Sequence, residues 1–233
     1  MKRALDVLLS GFGLLLLTPL LLPVALILRL TGEGEVFFLQ ERMGFGNKPF
    51  KITKFATMLK SAGRMGAGDY TIENDPRVLP VGRVLRKTKI NELPQLWDVF
   101  RGKMSLVGPR PQMLRIHALY GAEYDTVLAR VRPGITGIGS IVFRDEERIL
   151  TEAVDRDFCY KHQIVPYKAE LERWYADHRT LWLDLWLMFL TIWHIARPQS
   201  QLAHRLLPPS LVRSPESFDG VAGRPQGSAA RVS

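Results

Sequence analysis

The sequence predicts an α/β chain, mostly helical with a small β element, seated on a membrane by its N-terminus. Three observations predict this. Val7 to Leu28 is apolar and carries no charge, and about twenty apolar residues are enough to cross a bilayer as a helix. Glu35 to Thr57 holds two short runs of β-branched and aromatic residues around a turn rich in glycine and proline. Most later segments read as helices stopped by proline or glycine.

The apolar run comes first. Lys2 and Arg3 precede it, Asp6 stands at its edge and Arg29 follows. Pro19 and Pro23 lie inside it, and each removes a backbone donor and clashes with the preceding turn. The residues alone leave two forms open: a bent hairpin that enters and leaves on one face, and a kinked single span. No small-x-small cleavage site follows Leu28, which argues against a removed leader. The rest of the chain is basic, and Lys/Arg-rich segments stay in the cytoplasm.

Two strands are expected within 35–57, with Gly44 to Pro49 as the turn. Lys60 to Tyr70, with its glycines, reads as a flexible loop. Val78 to Lys87 and Asn91 to Phe100 are short helices, and Leu114 to Val131 is a helix ended by Pro133-Gly134. Ile135 to Phe143 is an apolar glycine-containing stretch, and Arg144 to Arg148 is a charged patch. Tyr167 to Arg179 reads as a helix with a polar face. Leu181 to Ile195 has its polar residues Asp184, Thr191 and His194 roughly on one side, and tryptophans suited to the headgroup level. It reads as an interfacial helix lying in a membrane surface, with a buried core helix as the other form. Residues 199–233, rich in Pro, Ser, Arg and Gly, read as a disordered tail.

The chain has 233 residues, enough for one domain with a core. Lys and Arg number 32 against 23 Asp and Glu, a formal net charge of +9. That balance suits nucleic acid, an anionic membrane surface or phosphorylated substrates. Nucleic acid is set aside, because the chain has no basic recognition helix and no interleaved aromatic platform. Cys159 is the only cysteine, so no internal disulfide forms, and its aromatic neighbours Phe158 and Tyr160 suit a structural role. There is no zinc-ligand spacing, Walker loop or GxGxxG, and the five histidines are scattered.

Lys89 to Pro111 concentrates the chemistry. It sets Glu92 among Lys89, Arg101, Lys103 and Arg110, with Arg86 and Lys87 just upstream. Such a cluster suits a polyanion beside a metal ion or an acid/base group. Asn91 is placed to cap a helix with Pro94 in its first turn. That helix start would attract phosphate, and Glu92 would suit its dipole. Pro109-Arg110-Pro111 is a rigid element presenting one guanidinium, the group best fitted to bidentate phosphate contact. Lys54 and Arg86-Lys87 are placed to clamp a diphosphate. Each residue also has a plain reading: a cap, a dipole partner, a structural arginine in a turn, or a solvated charge.

At these residues the chain resembles the bacterial sugar transferase family, the small monotopic phosphoglycosyl transferases. The resemblance runs from Lys2 to about Pro198 and its motifs occur in order. They begin with Lys2-Arg3-x-x-Asp6, Thr18-Pro19 and Phe37-Phe38-x-Gln40-x-Arg42-x-Gly44. Lys54-Phe55-x-Thr57-Met58, Asn74-Asp75-Pro76-Arg77 and Gly82-Arg83-x-Leu85-Arg86 follow. Glu92-Leu93-Pro94-Gln95, Met104-Ser105-x-Val107-Gly108-Pro109-Arg110-Pro111 and Arg132-Pro133-Gly134-x-Thr136-Gly137 complete the series. The resemblance implies a re-entrant membrane helix hairpin over residues 1–31 and a cytosolic catalytic domain over 32–198, within which the interfacial helix read from the residues lies near 180–196. It implies transfer of a sugar phosphate from a UDP-sugar to polyprenol phosphate with Mg²⁺, giving a polyprenyl diphosphosugar and UMP at the start of glycan or exopolysaccharide assembly. The setting would be the cytosolic face of the bacterial inner membrane. The expected partners are UDP-sugar, polyprenol phosphate, membrane lipids and a second copy of the chain, with no nucleic acid.

Family members use an Asp-Glu pair in which Asp attacks the β-phosphate. Here Asn91-Glu92 stands in that place, and an amide is a far poorer nucleophile than a carboxylate. Ala56 stands where the family often has Arg, and Lys103 where it often has Asp. Three readings follow: Glu92 takes over, a carboxylate among Asp145, Glu146 and Glu147 serves, or the chain is a weak or inactive homologue that only binds. The assignments are Glu92 as catalytic or metal-binding carboxylate, and Lys54 and Arg86 on phosphates. Arg110, held by Pro109 and Pro111, is placed on the nucleotide, and Asn91 caps its helix and orients substrate.

Overall fold

The computed structural model describes residues 1–31, 33–65, 71, 74–197, 200, 202 and 211. The apolar run forms helix α1, Lys2–Thr31, with Pro19 and Pro23 inside it. The two prolines leave the carbonyls of Leu15 and Pro19 without a donor four residues on. Thr18 Oγ donates to Leu14 O at 2.7 Å, a back-bond that favours bending.

Both ends of α1 are tied to the body. Lys2 Nζ donates to the Asp184 carboxylate at 2.5 Å and to Val107 O at 3.0 Å. Arg3 donates to Val99 O and Phe100 O. The buried Asp6 accepts from Ser105 Oγ at 2.8 Å and Leu106 N at 3.0 Å. At the far end Val24 and Leu28 pack against Phe55 and Leu85. Between these anchors Leu8, Phe12, Leu15, Leu16, Leu20 and Leu22 are exposed. Only 11% of the most apolar window of α1 is buried, and the helix is long and apolar enough to cross a membrane.

Strands β1 (Phe37–Met43) and β2 (Pro49–Phe55) form the expected antiparallel hairpin, with Phe37 opposite Phe55 and Met43 opposite Pro49. Gly46 and Asn47 at its turn have φ of 66° and 55°, which suits a residue without a Cβ and an asparagine. Helix α2, Pro80–Lys87, follows. A 3₁₀ turn, Ile90–Glu92, leads into α3, Gln95–Phe100. Strand β3 (Ser105–Val107) pairs in parallel with β4 (Gly134–Thr136). At the start of β4 the backbone just past β3 comes very close: a Cβ on Gly134 would lie 2.1 Å from Gly108 N. Glycine is required there.

The helix expected over 114–131 is two, α4 (Leu114–His117) and α5 (Ala122–Arg130), because Gly121 turns the chain with φ 75°. The apolar stretch after Gly134 divides into β4 and α6, Ile138–Val142. The charged patch opens α7, Glu146–Glu152, and a short α8, Arg156–Phe158, leads into a π-helical turn, Cys159–Ile164. Cys159 is fully buried there.

Helix α9, Val165–His178, departs most from its polar-faced reading: Tyr167, Lys168, Leu171, Glu172 and Tyr175 are all buried. It packs with α5 and α6 in the main core beside Tyr124, Leu128 and Ile138, and Tyr175 Oη donates to Asp184 of the next helix at 2.5 Å. Helix α10, Leu181–Ala196, turns Asp184, Leu187, Leu190 and His194 inward. Its outer face exposes Trp182, Leu185, Phe189, Ile192 and Ile195. Asp184 and His194 thus face the protein while the outer face is apolar, the reverse of a surface helix in water. Of the expected tail, all but Ser200, Leu202 and Leu211 lies outside the described residues.

Candidate functional site

Glu92 sits at the centre of a cluster built from four separate segments. Lys89 enters the 3₁₀ turn in the left-handed region, φ 60°, and so swings the next residues toward β2. Lys54, near the end of β2, donates to Glu92 Oε1 at 3.0 Å. Arg110, from the segment between β3 and α4, forks onto the same carboxylate at 2.7 and 3.4 Å. Arg42, from β1, stands beside them and donates to Pro111 O at 3.1 Å and to Gln40 Oε1. Pro109 O accepts from Gly134 N. The two prolines therefore pin their arginine between the hairpin and the parallel sheet.

Asn91 does not cap a helix. It lies inside the 3₁₀ turn, α3 begins only at Gln95, and no side-chain cap bond is formed. The Asn91 side chain is buried, and its Oδ1 has no hydrogen-bond partner. Tertiary closure of β2 over the turn overrides the local capping preference. Beside it, α3 is fastened to β2 by the buried Asp98, which accepts from Thr53 N at 2.8 Å. Lys103 reaches the same carboxylate at 3.8 Å.

Charge in the cluster is strongly coupled. Burial opposes ionisation of Glu92, but the charges of Arg110 and Lys54 hold its carboxyl well below the usual range. Burial lowers the Lys54 ammonium to about 7, against the attraction of Glu92 and with repulsion from Arg110 and Arg42. Burial and then Arg110 lower Arg42 to about 10. Arg110 is raised, chiefly by the Glu92 charge. Three cationic groups around one carboxylate leave the cleft short of negative charge, which an anion would supply.

A second carboxyl lies beneath. Glu172 of α9 is 2% exposed, accepts from the Arg110 backbone N–H at 3.4 Å, and also bonds the Gly139 backbone. Burial pushes it up to about 8, against these bonds and the charge of Lys168. It is neutral at pH 7 and supports the arginine loop from below.

The other predicted residues stand apart from Glu92. Arg86 pairs with Glu147 at 2.6 Å. Glu146 pairs with the buried Lys168 at 2.6 Å, and Asp145 with Arg144 at 2.9 Å. Each of the three alternative carboxylates already holds a cation. Arg42 and Glu172 were not picked out by the residue-level reading. Arg42 stands in the sequence only as part of the Phe37-Phe38-x-Gln40-x-Arg42-x-Gly44 motif, and Glu172 only as one polar residue of a helix read as polar-faced.

Among the described residues no group of three His, Cys, Asp or Glu side chains could hold a metal. Glu92 and the unpartnered Asn91 Oδ1 are both hard oxygen donors of the kind Mg²⁺ takes. Mg²⁺ is commonly bound by one or two carboxylates completed by substrate phosphates and water. These two oxygens are of the donor type such an ion takes beside a diphosphate.

A family model described as bacterial sugar transferase matches residues 1–198. The chain is 35% identical over 198 residues to the UDP-N-acetylgalactosamine-undecaprenyl-phosphate N-acetylgalactosaminephosphotransferase of Aeromonas hydrophila, covering 82% of this chain and 42% of that protein. It is 39% identical over 196 residues to the undecaprenyl-phosphate glucose phosphotransferase of Komagataeibacter xylinus, covering 82% and 35%. It is 33% identical over 205 residues to the exopolysaccharide production protein ExoY of Rhizobium meliloti, covering 82% and 83%. The chain thus spans about two fifths of the first two relatives and most of the third.

Proposed function

The chain belongs to the bacterial sugar transferase family, and on that premise we propose that it transfers a sugar phosphate from a UDP-sugar to polyprenol phosphate, releasing UMP. The observation that carries this reading is the buried meeting of Lys54, Arg42 and Arg110 around Glu92. Phosphoryl transfer is mostly positioning and charge stabilisation. Lys54, Arg42 and the forked Arg110 supply cationic donors for a diphosphate. Glu92 orients them and, with Asn91 Oδ1 and the substrate oxygens, would hold Mg²⁺. When bound, the ion offsets charge that develops on the phosphoryl oxygens. Arg86 and Glu147 form a rim pair outside this cluster.

The membrane supplies the lipid phosphate. The bare apolar length of α1 and the outward apolar face of α10 support a seat in the cytosolic leaflet of the inner membrane. The anchoring of both ends of α1 on one body supports entry and exit on the same face. Cysteine labelling at positions 3 and 33 should report one side. Opposite sides would replace the re-entrant form with a span.

Asn91 favours a second reading, a homologue that binds nucleotide-sugar or lipid phosphate with weakened chemistry. Its amide occupies the place where family members have a nucleophilic carboxylate, and Glu92 is held by two cations. One experiment separates the two. Purified protein is given UDP-glucose, UDP-N-acetylglucosamine or UDP-N-acetylgalactosamine with polyprenol phosphate and Mg²⁺, and UMP is measured. Lipid-dependent UMP from any of them supports transfer. Binding of a UDP-sugar without UMP supports the second reading.

A further inference from the structure

Gln95, the first residue of α3, is 3% exposed, and its Nε2 has no hydrogen-bond partner. The side chain lines the cleft formed with Arg42, Ile52, Lys54, Arg110 and Pro111. A buried amide donor left unpaired is destabilising, whereas a methionine would fill similar volume without that cost. The surrounding groups show what is missing. Lys54 and Arg110 reach in from two sides, and Arg42 adds a third positive charge. An anion with several acceptor oxygens satisfies both the charge and the orphaned donor.

We infer that Gln95 is a substrate-binding residue whose side-chain amide donates to a phosphoryl oxygen of the diphosphate seated among Arg42, Lys54 and Arg110. The inference rests on the phosphoryl-transfer reading and adds to it a neutral, directional donor. Cations attract the diphosphate from any angle. A planar amide fixed at the start of a helix specifies where one oxygen sits, which aligns the reacting phosphorus. Asn91, one turn earlier, presents an unpartnered acceptor, so the two amides do not satisfy each other.

The test uses the full chain in detergent, with inorganic pyrophosphate as the probe. Binding is measured by titration and folding by the thermal midpoint, for wild type, Gln95→Met and Gln95→Glu. Gln95→Met should keep or raise the midpoint and weaken pyrophosphate roughly 10- to 100-fold, the scale of a hydrogen bond to a charged group. Gln95→Glu keeps the shape and should weaken it further, because a carboxylate then faces phosphate. The inference is overturned if wild type does not bind pyrophosphate. It is also overturned if either folded variant binds as wild type does. Should Gln95→Met fail to fold, the isosteric Gln95→Glu decides alone. A wild type that binds through Gln95 but releases no UMP from any UDP-sugar retires the transferase reading and leaves this contact standing.

Discussion

Glu172→Gln should stabilise the protein, and by an amount that grows with pH. Glu172 is buried beneath the Arg110 loop with its carboxyl pushed up to about 8, against an ordinary value near 4.5. The sign follows from linkage. A carboxyl whose folded value is raised is protonated in both states below about pH 4.5, so it imposes no cost there. Above that, the unfolded chain ionises while the folded chain stays neutral, and stability falls by about 1.4 kcal/mol per pH unit until about pH 8. At pH 7 the cost reaches roughly 3 kcal/mol. Glutamine retains an oxygen to accept from Arg110 N–H and does not titrate. The variant should therefore match wild type near pH 4.5 and exceed it by roughly 3 kcal/mol at pH 7, or about 6–12 °C in midpoint for a domain of this size. Thermal or urea unfolding between pH 4.5 and 8.5 in one detergent measures this. A difference that is flat with pH, or a variant less stable throughout, would refute the assignment of Glu172 as a buried neutral acid.

Four further outcomes are expected. Glu92→Gln keeps the shape of the carboxylate and should lower UMP release by at least about a hundredfold with membrane association intact, whereas near-normal release would remove Glu92 from the chemistry. Asn91→Asp in the same assay should raise turnover strongly if the native chain is a weakened enzyme, and unchanged turnover would assign the attack to another group. Lys2→Met leaves the buried Asp184 without its cation and should cost about 3 kcal/mol in unfolding, a loss that Asp184→Asn in the same chain should largely restore. Phe189→Lys on the outer face of α10 should weaken vesicle binding in flotation while leaving the midpoint within a few degrees. A large loss of midpoint would instead make that face part of a protein contact.

The strand hairpin was legible because its signals are local. Two runs of β-branched and aromatic residues on either side of a turn rich in glycine and proline mark strands from nearby residues alone. The uncharged N-terminal run was legible for the same reason. Helix α9 departs from its polar-faced reading because polar residues along a helix do not say which face the rest of the chain will cover, and here Lys168 and Glu172 are both buried. The cap expected of Asn91 failed in the same way, since β2 folds over that turn and replaces the local preference with a tertiary one.

By itself the sequence determined the long apolar helix, the strand hairpin, the order of the motifs and the standing of Glu92, Lys54 and Arg110 as candidate site residues. Tertiary structure decided which of them meet. Lys54 lies 38 residues and Arg110 18 residues from Glu92 along the chain, and only the closure of β2 and the arginine loop onto one turn makes them a single charged cluster. It also decided that Arg86, equally basic and far nearer to Glu92 in sequence, pairs with Glu147 instead. Charge in water is a property of the residue. Charge in a desolvated cleft is a property of the neighbours that long-range packing brings together, as the lowered Lys54 and the raised Glu172 both show.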